Sequence, residues 1–505
     1  VSGATPLTAL RNSALAFDTG ADAAACRMDH ARAVSAPLEI WIHDFASVEA
    51  LWRRFERTAD CTPYQTFDWL AAWQRHIGVR EGTRPVIAVA LFTDREPAFL
   101  LPLAVERCGG TRRLCWLGQD INDYNAPLLA KDFAQRVTRD QFVAAWRELR
   151  SQIEHEPALR HDWIELEKMP PEIGGQANPF CYLAVGANPS GAHATTLVGN
   201  WKQFYSDKRS SATRRRDRTK RKHLSAFGDV SFATVENALD ITRTLQTLMQ
   251  QKSRQFAQRG IGDMFARPGW REFFLDVAVN PATRPMLHVS RVQIGEVCAA
   301  ANLGLVFGGT YYHMLASYDD GELSRYGPGA LHLRELLAYA IGRGLRRFDF
   351  TIGDEPYKRE WSDSAATLWD YHAVASWRGL PAFCRAALAR PVKRFIKQTP
   401  WAWQAVSHAR TLIGSFPRGG VRPARATAPA ASRNAGATAP LACVMGDMDL
   451  VRPLVSAGSA CAIVGRPGSP ALHSRHAKAR LPWRDDFATA EAVVENLVDF
   501  AKAQS

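Results

Sequence analysis

The chain has 505 residues, 46% hydrophobic and 22% charged, with a formal net charge of +13. This is a globular composition, which excludes a fibrous or wholly disordered protein, and its positive excess suits anionic partners. No apolar run reaches the roughly 18 residues of a membrane span. The nine cysteines are scattered without a C-x-x-C pair, which argues against a disulfide framework or a zinc site and for a reducing, cytoplasmic setting.

Residues 1–36 are Ala-rich, of mixed charge and without a signal-peptide pattern, so a poorly ordered N-terminus is expected. The first folded region spans 38–190. LEIWIHDF reads as a strand, and Val48, Leu51, Trp52 and Phe55 follow helical spacing after the N-cap candidate Ser47. TPYQTFDWLAAWQRHIG predicts a capped, aromatic-rich helix. RPVIAVALFTD and PAFLLPLAVER predict two strands, NDYNAPLL (122–129) a turn, QFVAAWRELRSQI a helix and DWIELEKM a strand.

A second region, 195–377, repeats this α+β character. WKQFYSDKRSSATRRRDRTKRKH predicts one basic helix. From Lys202 to Lys222 it holds ten Lys or Arg against two Asp, most of the chain's positive excess. DVSFATVE is a strand, Ile241, Leu245, Leu248, Met249 and Phe256 mark a long helix, and WREFFLDVAV a shorter one. Strands PMLHVSRVQ, VCAAANLGLVF and TYYHMLASYD follow, the last two joined by a hairpin turn at Gly308-Gly309. SRYGPGALHLRELLAYAIGRGLRRFDF (324–350) then reads as turn, amphipathic helix and strand.

Residues 378–416 predict basic amphipathic helices carrying Arg385, Arg390, Lys393, Arg394 and Lys397 with Trp401 and Trp403. They suit either a membrane surface or a packed appendage with a solvated face. Residues 417–440 are a Pro/Ala/Gly-rich linker. In 441–505, LACVMG and SACAIVG read as strands, and DMDLVRPLVSAG and AEAVVENLVDFAKAQ as helices, a unit too small for a complete domain.

Gly327, Pro328 and Gly329 stand immediately before a helix. Gly-Pro-Gly is ordinary turn chemistry. A helix N-terminus with glycines before it is also a place where phosphate approaches unpaired N–H groups. The basic segment 202–223 likewise reads either as a helix face, solvated or covering the substrate groove, or as a surface for a phosphate-rich partner such as tRNA. The absence of interleaved aromatics favours the first.

The order strand, turn, helix, strand over 310–352 resembles the acyl-CoA-binding core of the GNAT acyltransferase superfamily. There a loop of pattern Q/R-x-x-G-x-G/A opens a helix. Ser324-Arg325-Tyr326-Gly327-Pro328-Gly329 stand at those positions, with Ser324 in place of Gln or Arg. YQTFDWLAAWQRHIG (64–78), NDYNAPLL, the basic segment and FDFTIGDEPYKREW (348–361) add a resemblance over 38–377 to the CelD/BcsL family of GNAT-type proteins, linked to cellulose or exopolysaccharide production.

The resemblance implies an α+β fold of tandem GNAT-like domains, as in the FemABX peptidyltransferases. It implies acyl transfer from acetyl-CoA or a longer acyl-CoA to a small molecule, saccharide or envelope precursor. Gly327, Pro328, Gly329, Ala330 and Leu331 would receive the CoA pyrophosphate, and Leu333, Leu336, Leu337 and Ala340 would pack the helix on the sheet. Asp349, Tyr357 and Lys358, with Asp354 beside them, become the catalytic candidates, Tyr357 as donor to the leaving thiolate and Lys358 as partner of an anionic group. His313 is a further possible base, and no metal is expected. Residues 441–505 resemble the opening Rossmann-like subdomain of ATP-grasp ligases, cut before the parts that hold ATP. Two other readings stand beside this one: an aminoacyl-tRNA-dependent transferase, and a non-catalytic binding module of a polysaccharide or natural-product assembly.

Overall fold

The computed structural model describes residues 38–398 and three further strands at 441–445, 460–465 and 477–482. The expected disordered N-terminus, the linker, the helical segments beyond 398 and the two C-terminal helices lie outside the described residues.

Two series of elements follow the same order. The first is β1 (Glu39–His43), α1 (Glu49–Glu56), α2 (Phe67–Trp73), β2 (Arg84–Leu91), β3 (Pro97–Cys108), β4 (Thr111–Trp116), α3 (Arg139–His155), β5 (Trp163–Met169) and β6 (Val185–Thr196). Two helices, α4 (Trp201–Lys208) and α5 (Ser211–Leu224), lead into the second. It comprises β7 (Val230–Thr234), α6 (Ala238–Gln258), α7 (Trp270–Val279), β8 (Leu287–Ile294), β9 (Val297–Phe307), β10 (Thr310–Tyr318), α8 (Pro328–Gly342), β11 (Arg347–Ile352), α9 (Pro356–Trp361) and β12 (Ser364–Val374), with α10 (Leu380–Gln398) after it.

All twelve strands join one mixed sheet, ordered β1-β2-β3-β4-β5-β12-β6-β11-β10-β9-β8-β7, with Leu128–Leu129 added beside β3. β4 with β5 and β10 with β11 are parallel, and the other neighbours are antiparallel. The centre carries an exchange. β6, which ends the first series, pairs with β11 of the second, and β12, which ends the second, pairs with β5 of the first.

Apolar residues on both faces of the strands make the sheet a shared wall. On one face α1, α2, α6 and α7 pack into one core, where the Trp69 and Phe273 rings meet edge-on at 5.0 Å. On the other face α3 covers the first series and α8 the second. α3 starts with a capping box between Thr138 and Gln141. Leu336, Leu337 and Ala340 of α8 are fully buried on Phe348 and Phe350 of β11.

The structure corrects three helix readings. Ser47 does not cap α1: Val48 stands at its N-cap, and the Ser47 hydroxyl donates to Asp44 O. The basic segment is two helices, because Arg209 is extended and Ser210 caps α5 by accepting from Thr213 N–H. The aromatic segment is a short turn at Pro63–Gln65, then α2, then a widened turn at Gln74–Gly78. Thr66 does not cap α2. Its hydroxyl donates to Pro63 O, and Glu56 instead accepts from Phe67 N–H.

Cys61, Cys108, Cys115, Cys181, Cys298 and Cys384 are free thiols. Among the described residues no helix is long and apolar enough to cross a membrane. The second unit contains β13 (Leu441–Met445), β14 (Ala460–Gly465) and β15 (Ala477–Pro482), a three-stranded parallel sheet in that order. Its first two strands are those read from the sequence; the third was not anticipated.

Candidate active site

β10 and β11 pair only at Thr310–Arg347, Tyr311–Phe348 and Tyr312–Asp349, then part. β11 also bulges against β6 between Asp349 and Ile352, where Thr351 is held at φ 60°. A non-glycine residue there stores strain, of a kind concentrated at functional sites. The gap between the strands opens a cleft of about 870 Å³.

The Gly-Pro-Gly turn forms one wall. Gly327 caps α8 at φ 68°, a conformation glycine adopts without penalty, and Pro328 at the first helical position has no N–H to leave unpaired. Leu331 donates its N–H to Gly327 O and buries its side chain. Gly329 packs so closely that an added Cβ would lie 3.2 Å from the Tyr318 ring, and one on Gly327 would lie 3.8 Å from Lys220 Nζ.

The basic helix is therefore part of this site. Arg334 to Asp217 at 3.0 Å and Arg221 to Glu335 at 2.6 Å hold α5 along α8. Arg216 and Lys220 then line the cleft beside the glycine turn. Lys252, from α6, donates to Ala316 O, and burial brings its ammonium pKa down to about 8.

Tyr357 and Lys358 line the same cleft. The Tyr357 hydroxyl makes no hydrogen bond to a described residue, and burial, then the Glu355 carboxylate, raises its pKa. Lys358 is buried. Its ammonium donates to Ile352 O at 2.7 Å and pairs with Glu355 at 3.2 Å, which ties down the turn after β11. His313 lies in the wall, and burial, aided by Lys358 and Lys252, drops its pKa to about 3. It is neutral at physiological pH and a weak base.

Asp349 faces away from this cleft, onto a second cavity of about 830 Å³ on the opposite side of β11. Its Oδ1 accepts from Tyr124 Oη at 2.7 Å and from Thr351 N at 2.8 Å. Burial raises its pKa, while the Tyr124 bond opposes the rise. Arg57, Lys131, Arg346 and Arg347 line this second cavity.

The first series supplies a carboxylate that sequence reasoning passed over. Asp123 lines the cleft, accepts from Tyr64 Oη at 3.1 Å, and has its pKa raised by burial. Asp123 and Tyr124 are neighbours, so one short stretch of the first series reaches both faces of β11. The signal was the NDYNAPLL motif, read as a turn and as a family motif but not as a source of a site carboxylate. Lys252 also had one, since a lysine on the apolar stripe of α6 with Leu245, Leu248 and Met249 is out of place on a purely structural face.

Residues 211–359 match the family model described as an acetyltransferase (GNAT) domain. The α+β architecture is that of the GNAT fold. The glycine turn and Tyr357 lie within the matched residues, and Asp123, Arg209, Glu360 and Trp361 line the cleft from outside them. No curated protein matches the chain. Among solved structures, FemX is similar at 10% identity, covering 66% of this chain and 97% of that one, with a TM-score of 0.46. The C-terminal domain of a putative lysylphosphatidylglycerol synthetase from Agrobacterium fabrum is similar at 11% identity, covering 70% and 97%, with a TM-score of 0.40. A tandem GNAT protein from the clavulanic acid biosynthesis pathway is similar at 11% identity, covering 67% and 99%, with a TM-score of 0.37.

Proposed function

We propose that the chain is an acyltransferase that moves an acyl group from acyl-CoA to an amine or hydroxyl of a small-molecule, saccharide or envelope-precursor acceptor. The observation that carries this reading is the cleft opened where β10 and β11 part, with Gly327-Pro328-Gly329 at a helix start facing Arg216 and Lys220. The donor pyrophosphate sits on the N–H groups of Gly329 and Ala330, countered by those two cations. The thioester lies along the edge of β10 beyond its last pairing with β11.

In the proposed step the acceptor attacks the thioester carbonyl carbon and gives its proton to Asp123, whose raised pKa suits a base. The C–S bond then breaks, and Tyr357 Oη donates to the departing thiolate. Lys358 positions the turn that carries Tyr357. Asp349 borders the cavity on the opposite face of β11, whose arginines suit an anionic group.

The CelD/BcsL assignment, a role in polysaccharide production and a cytoplasmic setting rest on the sequence motifs and composition. The ATP-grasp-like reading of 441–505 draws support from its parallel strands. A membrane contact through α10 would draw on the exposed Leu380 and Leu388.

Calorimetric titration of acetyl-CoA into the wild type and into Gly329→Glu tests the proposal. That substitution sets a carboxylate where the pyrophosphate should lie. Saturable binding lost in the variant, with its circular dichroism unchanged, is the expected result. No wild-type binding of acetyl-CoA or longer acyl-CoA sinks it. Steeply salt-dependent tRNA binding in its place would transfer the donor role to aminoacyl-tRNA.

A further inference from the structure

Away from the cleft, at the centre of the sheet, Glu165 and Glu167 of β5 meet His372 of β12. Glu165 and His372 are register partners, and one ligand atom from each of the three residues lies within 4.8 Å of the others. The His372 side chain is 2% exposed, and neither ring nitrogen has a hydrogen-bond partner among the described residues. A buried imidazole usually satisfies at least one nitrogen. Here Nε2 points at Glu165 Oε1 from 3.6 Å, too long for a hydrogen bond. It is close to the spacing of two ligands that each lie about 2.1 Å from one tetrahedral ion.

Arg113 fits that arrangement. Its guanidinium holds Glu165 Oε2 at 2.6 Å and Glu106 at 2.8 Å, which leaves Oε1 turned toward the histidine. The ladder between β5 and β12 is irregular at the same place. Its register shifts between Trp369 and Tyr371, and Lys168, next to Glu167, is held at φ 59°. Bulges of this kind re-aim side chains.

We propose that Glu165, Glu167 and His372 form a site for a divalent transition-metal ion. One imidazole and two carboxylates suit zinc or manganese better than magnesium, which prefers an all-oxygen shell. The ion would clamp the last strand of the second series to the first series. Its role is structural and independent of acyl transfer.

The test uses the full chain, stripped with a chelator that is then removed. Zinc is titrated against a chromophoric competitor into the wild type, Glu167→Gln and His372→Gln, with thermal melting followed in parallel. The wild type is expected to bind one ion more tightly than the rest and to melt higher with zinc. Each variant should weaken that site at least about tenfold and lose the zinc-dependent shift in melting. Equal binding in all three proteins, or no tight ion in the wild type, overturns the proposal and leaves a plain His372–Glu165 ion pair. If His372→Gln does not fold, Glu167→Gln decides alone, because it changes one atom and no shape.

Discussion

Tyr124→Phe removes a single oxygen that joins the two series across the sheet. Its hydroxyl donates to the buried Asp349 carboxylate at 2.7 Å, leaving Thr351 N at 2.8 Å and Arg347 at 3.8 Å as the remaining support. A hydrogen bond to a charged group contributes about 1.5–3 kcal/mol. For a unit of this size that lowers Tm by about 2–4 °C. The loss also has a pH signature. Burial already raises the folded Asp349 pKa, and the Tyr124 bond holds it down. Without that bond the pKa rises further, so the variant is most penalised at neutral and alkaline pH, where the carboxyl must ionise in place. The penalty shrinks as pH falls and Asp349 protonates in both proteins. Differential scanning calorimetry of wild type, Tyr124→Phe, Asp349→Asn and the double variant, at pH 8 and at mildly acidic pH, reads both effects. Strict additivity of the two substitutions, or a loss independent of pH, would refute the reasoning.

Leu337→Ala, at a fully buried position under α8, should cost about 2–5 kcal/mol in chemical denaturation. Tyr357→Phe should lower kcat by roughly 10²–10⁴ while donor binding by calorimetry stays near wild type, and an equal loss in binding would make the ring a packing element instead. Lys252 has a pKa near 8, so it is a cation below that pH and neutral above it. Acyl-CoA affinity should therefore fall as pH rises through 8 in the wild type, and Lys252→Met should flatten that profile. Charge reversal at Arg216 or Lys220 should weaken donor binding and reduce its dependence on salt, read in titrations at two ionic strengths.

The elements with strong periodicity were legible. The spacing of Leu333, Leu336, Leu337 and Ala340 gave the buried face of α8, and Gly308-Gly309 the hairpin between β9 and β10. The break in the basic segment was not, because a serine inside a run of helix formers signals a cap only weakly against its neighbours. β6 and β12 were missed altogether. VGANPSGAHATT carries Pro and four small polar residues, and it becomes a strand only because β11 and β12 flank it on both sides. The glycine turn was visible as a phosphate-site candidate, but its cations were not assignable to it. Arg216 and Lys220 reach the turn's side of the cleft through tertiary packing, over separations that no local pattern encodes. The same holds for Asp123, which lies more than two hundred residues before the glycine turn of the cleft it lines.

The strand exchange at the sheet centre bears on how the chain comes to be folded as it is made. β5 has no neighbour on its inner edge until β12 arrives, and β12 is the last strand of this unit to be synthesised. Until then the first series presents an open, hydrogen-bond-hungry edge, and β6 waits beside it without its second partner. A chain stopped between β11 and β12 would leave two unpaired edges, those of β5 and β6, in the middle of its own core. Such a chain invites pairing with another copy, so the protein should tolerate an extension after β12 far better than a truncation before it.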